Sequence, residues 1–234
     1  MFFESSRQGE SDVKTVVNGT MAKKIYLVAI QSAIYVFLYY ITNYVACLRN
    51  IDREWVTIPA IDCEIPFLGF FVWPYLSAYL LNTVCVVLIA KEMEYEEFKK
   101  ITAAYFANLI ILVGCYFIIP MKAVRTDFNP DGSFSLWAVD ILHKAMFPYN
   151  TFPSAHVSYS FLTGLAAYAG KYKYRVFVMI DSALIILSTL FIKEHVLIDV
   201  AVGMILATVC FKEREKLLKL YKYVAGNYFG YAEN

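Results

Sequence analysis

The chain is 234 residues long, with 59% hydrophobic and 18% charged residues, a formal net charge of +1 and a mean hydropathy of +0.52. An ordinary soluble domain is about 45–50% apolar and about 25% charged, and a chain this small has no interior large enough to hide the excess. The composition excludes a disordered chain and a water-soluble globular enzyme, and the near-neutral charge points to no nucleic-acid partner.

A hydrocarbon core about 30 Å thick takes about 20 helical residues. In chain order, residues 1–22 are polar and read as an N-terminal tail, with Lys23 and Lys24 abutting the first apolar run. Ile25–Leu48, Ile65–Ala90 and Ile101–Met121 carry no charged residue, and Ala145–Gly170 carries only His156 as a titratable group besides tyrosines. Val176–Ile192 contains Asp181, and Val196–Phe211 contains Asp199. The expectation is an all-α polytopic membrane protein, one domain over 1–234, with six transmembrane helices. Lys212–Tyr223 reads as the last helix running on into the cytoplasm, its lysines alternating with leucines, either at the headgroup level or as a solvated helical end with no lipid role, within a tail at 212–234.

With six spans and the N-terminus inside, 15 of the 21 Lys and Arg residues fall on the cytoplasmic side. The rest, Arg49, Arg53, Lys122, Arg125, Lys144 and Lys193, fall outside. This positive-inside bias places both termini in the cytoplasm. Cys47 and Cys63 both fall at the outer face, either as a disulfide or as free thiols.

Ionisable groups inside a membrane are expensive, so each marks a functional hypothesis. They concentrate on one side: Lys122 and Arg125 after the third span, Ser154 and His156 at the start of the fourth, and Lys193, His195 and Asp199 where the fifth turns into the sixth. Pro153 suits the first turn of a helix, and the amides of Ser154, Ala155 and His156 at a helix N-terminus form a natural anion site. His156 is near enough to act as acid or base there. His195 and Asp199 are one turn apart, so the carboxylate can fix the imidazole tautomer and leave the other nitrogen for attack. Lys122, Arg125 and Lys193 supply positive charge for a phosphate dianion.

Phe152-Pro153-Ser154-Ala155-His156 resembles the P-S-x-H motif of the type 2 phosphatidic acid phosphatase (PAP2) superfamily. Ser188 to Asp199 resembles its third motif, S-R-x5-H-x3-D, and Arg125 stands for the arginine of the first, K-x6-R-P. The resemblance implies that His195 is a nucleophile forming a phosphohistidine, oriented by Asp199, and that His156 protonates the leaving oxygen. It also implies that Arg125, Ser154 and Ser188 hold the phosphate, with no metal and no cofactor. Two positions depart from the pattern. Ile118 and Thr126 replace the first-motif lysine and proline, and Lys122 in Pro120–Arg125 is the substitute cation. Thr189 replaces the third-motif arginine, and Lys193, one turn further along, is expected to reach back toward the phosphate.

The implied activity is hydrolysis of a lipid phosphomonoester or pyrophosphate at the extracytoplasmic or lumenal face. Two alternatives stand beside it: a lipid phosphotransferase of the sphingomyelin or inositol-phosphorylceramide synthase kind, and a catalytically silent membrane binding protein. Asp181 reads as a structural hydrogen-bonder. Asp127–Gly132 reads as a turn rather than a calcium loop, because position 12 of such a loop falls on Ala138.

Overall fold

The computed structural model describes residues 2–50, 59–123 and 125–229. Arg53, and Val124 within the Pro120–Arg125 segment, lie outside the described residues. Among the described residues the chain is all-helical, without a strand: α1 (Phe2–Leu48), a short α2 (Pro59–Asp62), α3 (Val72–Glu92), α4 (Tyr95–Ile118), α5 (Phe134–Ala145), α6 (Ala155–Gly170), α7 (Arg175–Phe191), α8 (Leu197–Lys212) and α9 (Arg214–Phe229).

Each predicted span has a helix at its centre. Gly19–Leu48 of α1 and Tyr95–Ile118 of α4 are long and apolar enough to cross a membrane. A third candidate joins Gly69–Leu80 to Thr83–Glu92 through a 48° bend. The helices α6, α7 and α8 have 16, 17 and 16 residues, each about 25 Å long at 1.5 Å per residue. The helix α6 packs on α7 and α8, α3 on α6 and α7, and α4 on α6 and α8, in a shared apolar core that includes Ala104, Leu112, Leu162, Ala167, Val178 and Ala207. Polar side chains join helices inside the bundle, as expected where no water competes. Asn108 donates to Ser158 Oγ at 2.9 Å, Tyr105 meets Thr163, and Cys85 Sγ lies 3.6 Å from Asp181 Oδ2. Asp181 is thus an interhelical partner, on α7.

Three boundaries differ from the sequence expectation. The fourth apolar run begins at Ala145, yet its helix begins only at Ala155. Residues 146–154 form a loop containing Pro148 and Pro153, neither of which can donate to a helix ladder. The loop is tied down instead: Ala123 N donates to Pro148 O at 2.7 Å, Thr151 Oγ1 to Met121 O at 3.2 Å, and Asn150 Nδ2 to Tyr39 O at 2.9 Å. Pro153 accordingly precedes the N-cap rather than occupying the first turn. The stretch before it, expected as a polar connection, contains α5, which buries Ala138, Val139 and Leu142 against Val72, Tyr75 and Ile192. Finally, the last helix does not run on: it breaks at Glu213, and α9 packs against α4 through Arg214–Glu97 (3.0 Å) and Lys100–Glu215 (3.2 Å).

Asn129 Oδ1 accepts from Asp131 N at 3.0 Å, closing the turn at Pro130–Gly132. Cys47 and Cys63 are both free.

Candidate active site

The N-terminus of α6, the α7–α8 turn and the 146–154 loop converge at one end of the bundle. Ser154 caps α6: its Oγ accepts from Val157 N at 3.3 Å, and its own amide donates to Asp199 O at 3.3 Å. The Ser154 amide is therefore engaged. The helical ladder provides no carbonyl for the next two, of Ala155 and His156, as at any helix start.

On α8, Asp199 is fully buried, and its Oδ2 lies 3.1 Å from His195 Nδ1 and accepts from Val196 N at 3.2 Å. Asp199 is thereby held in place as it holds the imidazole, and Nε2 of His195 is left as the available nitrogen. The His195 amide donates to Thr189 O at 3.1 Å, which folds the turn back onto α7. The rings of His156 and His195 lie 6.3 Å apart between centroids. They share a small cleft with Glu194, Asn150, Tyr39 and Tyr75, into whose wall Ala155 also falls.

Close approach of α8 to the start of α6 depends on Gly203. A Cβ there meets Ser154 O at 3.0 Å and the Val157 side chain at 3.3 Å.

The other site residues expected from the sequence divide. Ser188 is fully buried and donates to Ile185 O at 2.6 Å, and Thr189 donates to Ile186 O at 2.8 Å, so both hydroxyls turn back onto α7. Lys193 does not reach toward the histidines. It sits at φ 59°, in the left-handed conformation that ends α7, and its ammonium binds the carbonyls of Asp62 (2.9 Å) and Ile65. The turn aims the side chain away from the helix face it shares with Thr189 in sequence, and that is why one-turn spacing misplaces it. Lys122 is half-buried in the loop after α4.

Arg125 comes to the site edge already partnered. Its Nε lies 3.1 Å from Glu194 Oε1, and its terminal nitrogens face the carbonyls of His143 and Met146. His143 Nε2 lies 2.9 Å from the same Glu194 oxygen. Burial opposes the charged form of Glu194, but the His143 ring and the Arg125 charge outweigh it and hold the carboxyl below the ordinary 4.5. This cluster welds α5, the segment after α4 and the α7–α8 turn behind His195. Sequence reasoning missed Glu194 and His143; the acidic residue immediately before His195, with an arginine needing a countercharge, was the available signal. It also missed Tyr75, whose ring lies tilted against His156 at 4.4 Å between centroids and whose Oη lies 3.5 Å from His156 Nδ1.

Among the described residues, no group of three or more His, Cys, Asp or Glu side chains is placed to hold a metal ion.

Among the described residues the fold is an all-helical bundle whose apolar helices are compatible with a membrane protein, and its cleft holds two histidines, one of them paired to a carboxylate, a set suited to nucleophilic and acid–base chemistry. The chain belongs to the PAP2 superfamily, whose family model matches residues 10–212. Members of that superfamily are generally phosphatases. No curated protein and no solved structure matches the chain.

Proposed function

We propose that this protein is an integral membrane lipid phosphatase that hydrolyses a phosphomonoester or pyrophosphate through a phosphohistidine on His195. The observation that carries the reading is the Asp199–His195 pair facing His156 across the cleft. Asp199 keeps the proton on Nδ1, so the Nε2 lone pair attacks phosphorus. The bond to the leaving oxygen breaks as His156 donates its proton to that oxygen. Water then gives a proton to the now neutral His156 and attacks the phosphorus as the P–Nε2 bond breaks, which releases inorganic phosphate, frees His195 and leaves His156 protonated as at the start.

The open amides of Ala155 and His156 at the positive end of α6 suit the phosphoryl oxygens. Lys122 and Arg125 supply the remaining positive charge, Arg125 by exchanging part of its contact with Glu194 for phosphate. Ser154 and Ser188 act through the backbone they hold rather than on the phosphate. Lys193 has a structural role. No metal or cofactor enters these steps.

The lysine and arginine distribution supports six spans with both termini in the cytoplasm and the cleft at the extracytoplasmic or lumenal face. In a background without native cysteines, a cysteine at Ser133 should react with an impermeant reagent from outside, and one at Tyr172 should be protected. The chemistry is tested by assaying purified protein for phosphate release from a panel of lipid phosphates. Release supports hydrolysis. Phosphoryl transfer to an added alcohol without phosphate release replaces that reading with a phosphotransferase, and neither product leaves only a binding role.

A further inference from the structure

A second, larger cavity of about 620 Å³ leaves the cleft at His156 and Ala155 and runs between α1, α3, α4 and α6. Its wall is aromatic and aliphatic, with Tyr35, Ile89, Phe98, Ile101 and Tyr105 along its length and Met93 near the far end. The helix α1 leans on α4 and touches α3 only sparsely, so the cavity opens sideways between α1 and α3. Met93 and Phe98 stand at its far end. Lys24 of α1 is buried there, with its ammonium on the carbonyls of Ala90 (2.7 Å) and Met93 and 5.7 Å from the Phe98 ring centroid. The Ala90 carbonyl belongs to the last turn of α3, which lacks helical donors, and Met93 follows that turn directly. The lysine therefore pins α1 to α3 directly beneath the slot.

We propose that this slot holds one linear hydrocarbon tail of the substrate and measures its length, so that the preferred substrate is a lipid phosphate with a single chain of about 16 carbons. The proposal rests on the phosphatase reading above, because His156 marks the end at which the phosphate sits. From Tyr79 to Met93 the wall spans 14 residue steps, at most about 21 Å at 1.5 Å per residue because α3 bends by 48° between Leu80 and Thr83. An extended chain advances about 3.5 Å for every three bonds, so that depth takes roughly 18 bonds, including those linking tail to phosphorus. A volume of 620 Å³ over that length averages about 30 Å² in cross-section. At ordinary contact spacing of about 4.0–4.5 Å a chain needs roughly 20 Å², so one tail fits within the walls and a second has to lie in the side opening. A chain that is too long meets the Lys24–Met93–Phe98 floor and must bend back through the side opening.

The test uses straight-chain alkyl phosphates of 8 to 22 carbons with purified protein in one detergent, and measures both phosphate release and equilibrium binding. Met93→Ala deepens the slot, and Thr102→Phe, on the lining near the floor, shortens it. In wild type, binding and kcat/KM should rise by up to about fourfold per methylene, peak near 16 carbons, and fall by tenfold or more by 22. The peak should move up by two to four carbons in Met93→Ala and down by a similar amount in Thr102→Phe. Partitioning of the probe into detergent is common to all three proteins and cannot move the peak between them. A wild-type profile without a peak, or a peak that neither variant moves, overturns the slot even if phosphate is released. If no phosphate is released at any length, the phosphatase reading fails; a binding peak that shifts with both variants then still supports the slot, and unshifted binding overturns it.

Discussion

The oxygen of Asp199 that sits 3.1 Å from Nδ1 of His195 also accepts the Val196 amide at 3.2 Å, so the carboxylate is fixed from two directions. Asp199→Asn preserves the shape but can present an N–H to Nδ1 and favour the wrong tautomer. Phosphate release should fall about 10³–10⁴-fold, the scale of such tautomer errors in triad chemistry. Binding of a non-hydrolysable alkyl phosphonate should change little, which separates this effect from unfolding.

Lys193 distinguishes a structural ammonium from a catalytic one. Its φ of 59° suits glycine, so Lys193→Gly removes the tie to Asp62 and Ile65 without backbone strain. The variant should melt at a lower temperature in detergent while turning over substrate within a few-fold of the wild-type rate. Lys193→Thr adds a β-branched residue at positive φ and should destabilise more. If Lys193→Gly instead melts like wild type and loses turnover by about a hundredfold, the scale of a lost charge contact to the transition state, the ammonium belongs on the phosphate.

The spacing of the residues decides how much of this is legible in the sequence. Ser154, His156, His195 and Asp199 stand in short local patterns, and the four-residue spacing between His195 and Asp199 survives because Asp199 lies in the first turn of α8 and His195 just ahead of its cap, where the ring and the Val196 amide meet the same carboxylate oxygen. Lys193 escapes such reasoning because a left-handed turn intervenes between it and Thr189, and no periodicity reveals a positive φ at a lysine. The Arg125–Glu194–His143 cluster joins three segments far apart in sequence, so only folding brings it together. The helix α5 is hidden by Asp140 and Lys144, which pair with each other at 2.7 Å and leave its apolar face to the core. The loop at 146–154 resembles membrane helix in composition because Phe147, Tyr149 and Phe152 are apolar, whereas its prolines and its bonds to Tyr39, Met121 and Ala123 decide its path.

Gly203 controls the distance between α8 and α6. Gly203→Ala should push Ser154 O and Val157 apart from α8, disturb the Ser154 N to Asp199 O bond, and cost about 1–3 kcal/mol as overpacking. Activity should fall with it. The control is Gly114→Ala in α4, where an added Cβ meets nothing within 4 Å; it should be neutral, or stabilising by up to about 1 kcal/mol through helix propensity. Equal effects at both positions would contradict the close approach.

The depressed carboxyl of Glu194 makes stability depend on pH. A group titrating lower in the folded state contributes fully above its unfolded value, here 4.5, and loses that contribution as pH falls through the folded value. Thermal unfolding should therefore show wild type losing stability below about pH 4.5 more steeply than Glu194→Gln, which is less stable at pH 7 because Arg125 is left without its countercharge. Parallel pH profiles would deny the ion cluster any part in stability.

The donor set around the cleft offers no cage for a divalent ion among the described residues. Phosphate release should persist after exhaustive EDTA treatment, and vanadate, which mimics pentacoordinate phosphorus, should inhibit it. A strict requirement for added Mg²⁺ would contradict attack by an imidazole alone.

Phosphorylation of His195 is the step on which the proposed chemistry turns, and the most direct measurement traps that species. Purified protein is mixed with a radiolabelled lipid phosphate, quenched within milliseconds, and assayed for protein-bound label that is stable in alkali and lost in acid, as a phosphohistidine is. Wild type should carry such label at His195, more of it should accumulate in His156→Ala with a good leaving group, and His195→Ala should carry none and release no phosphate. Phosphate release by His195→Ala at a rate comparable to wild type, or label on any other residue, would contradict a phosphohistidine on His195.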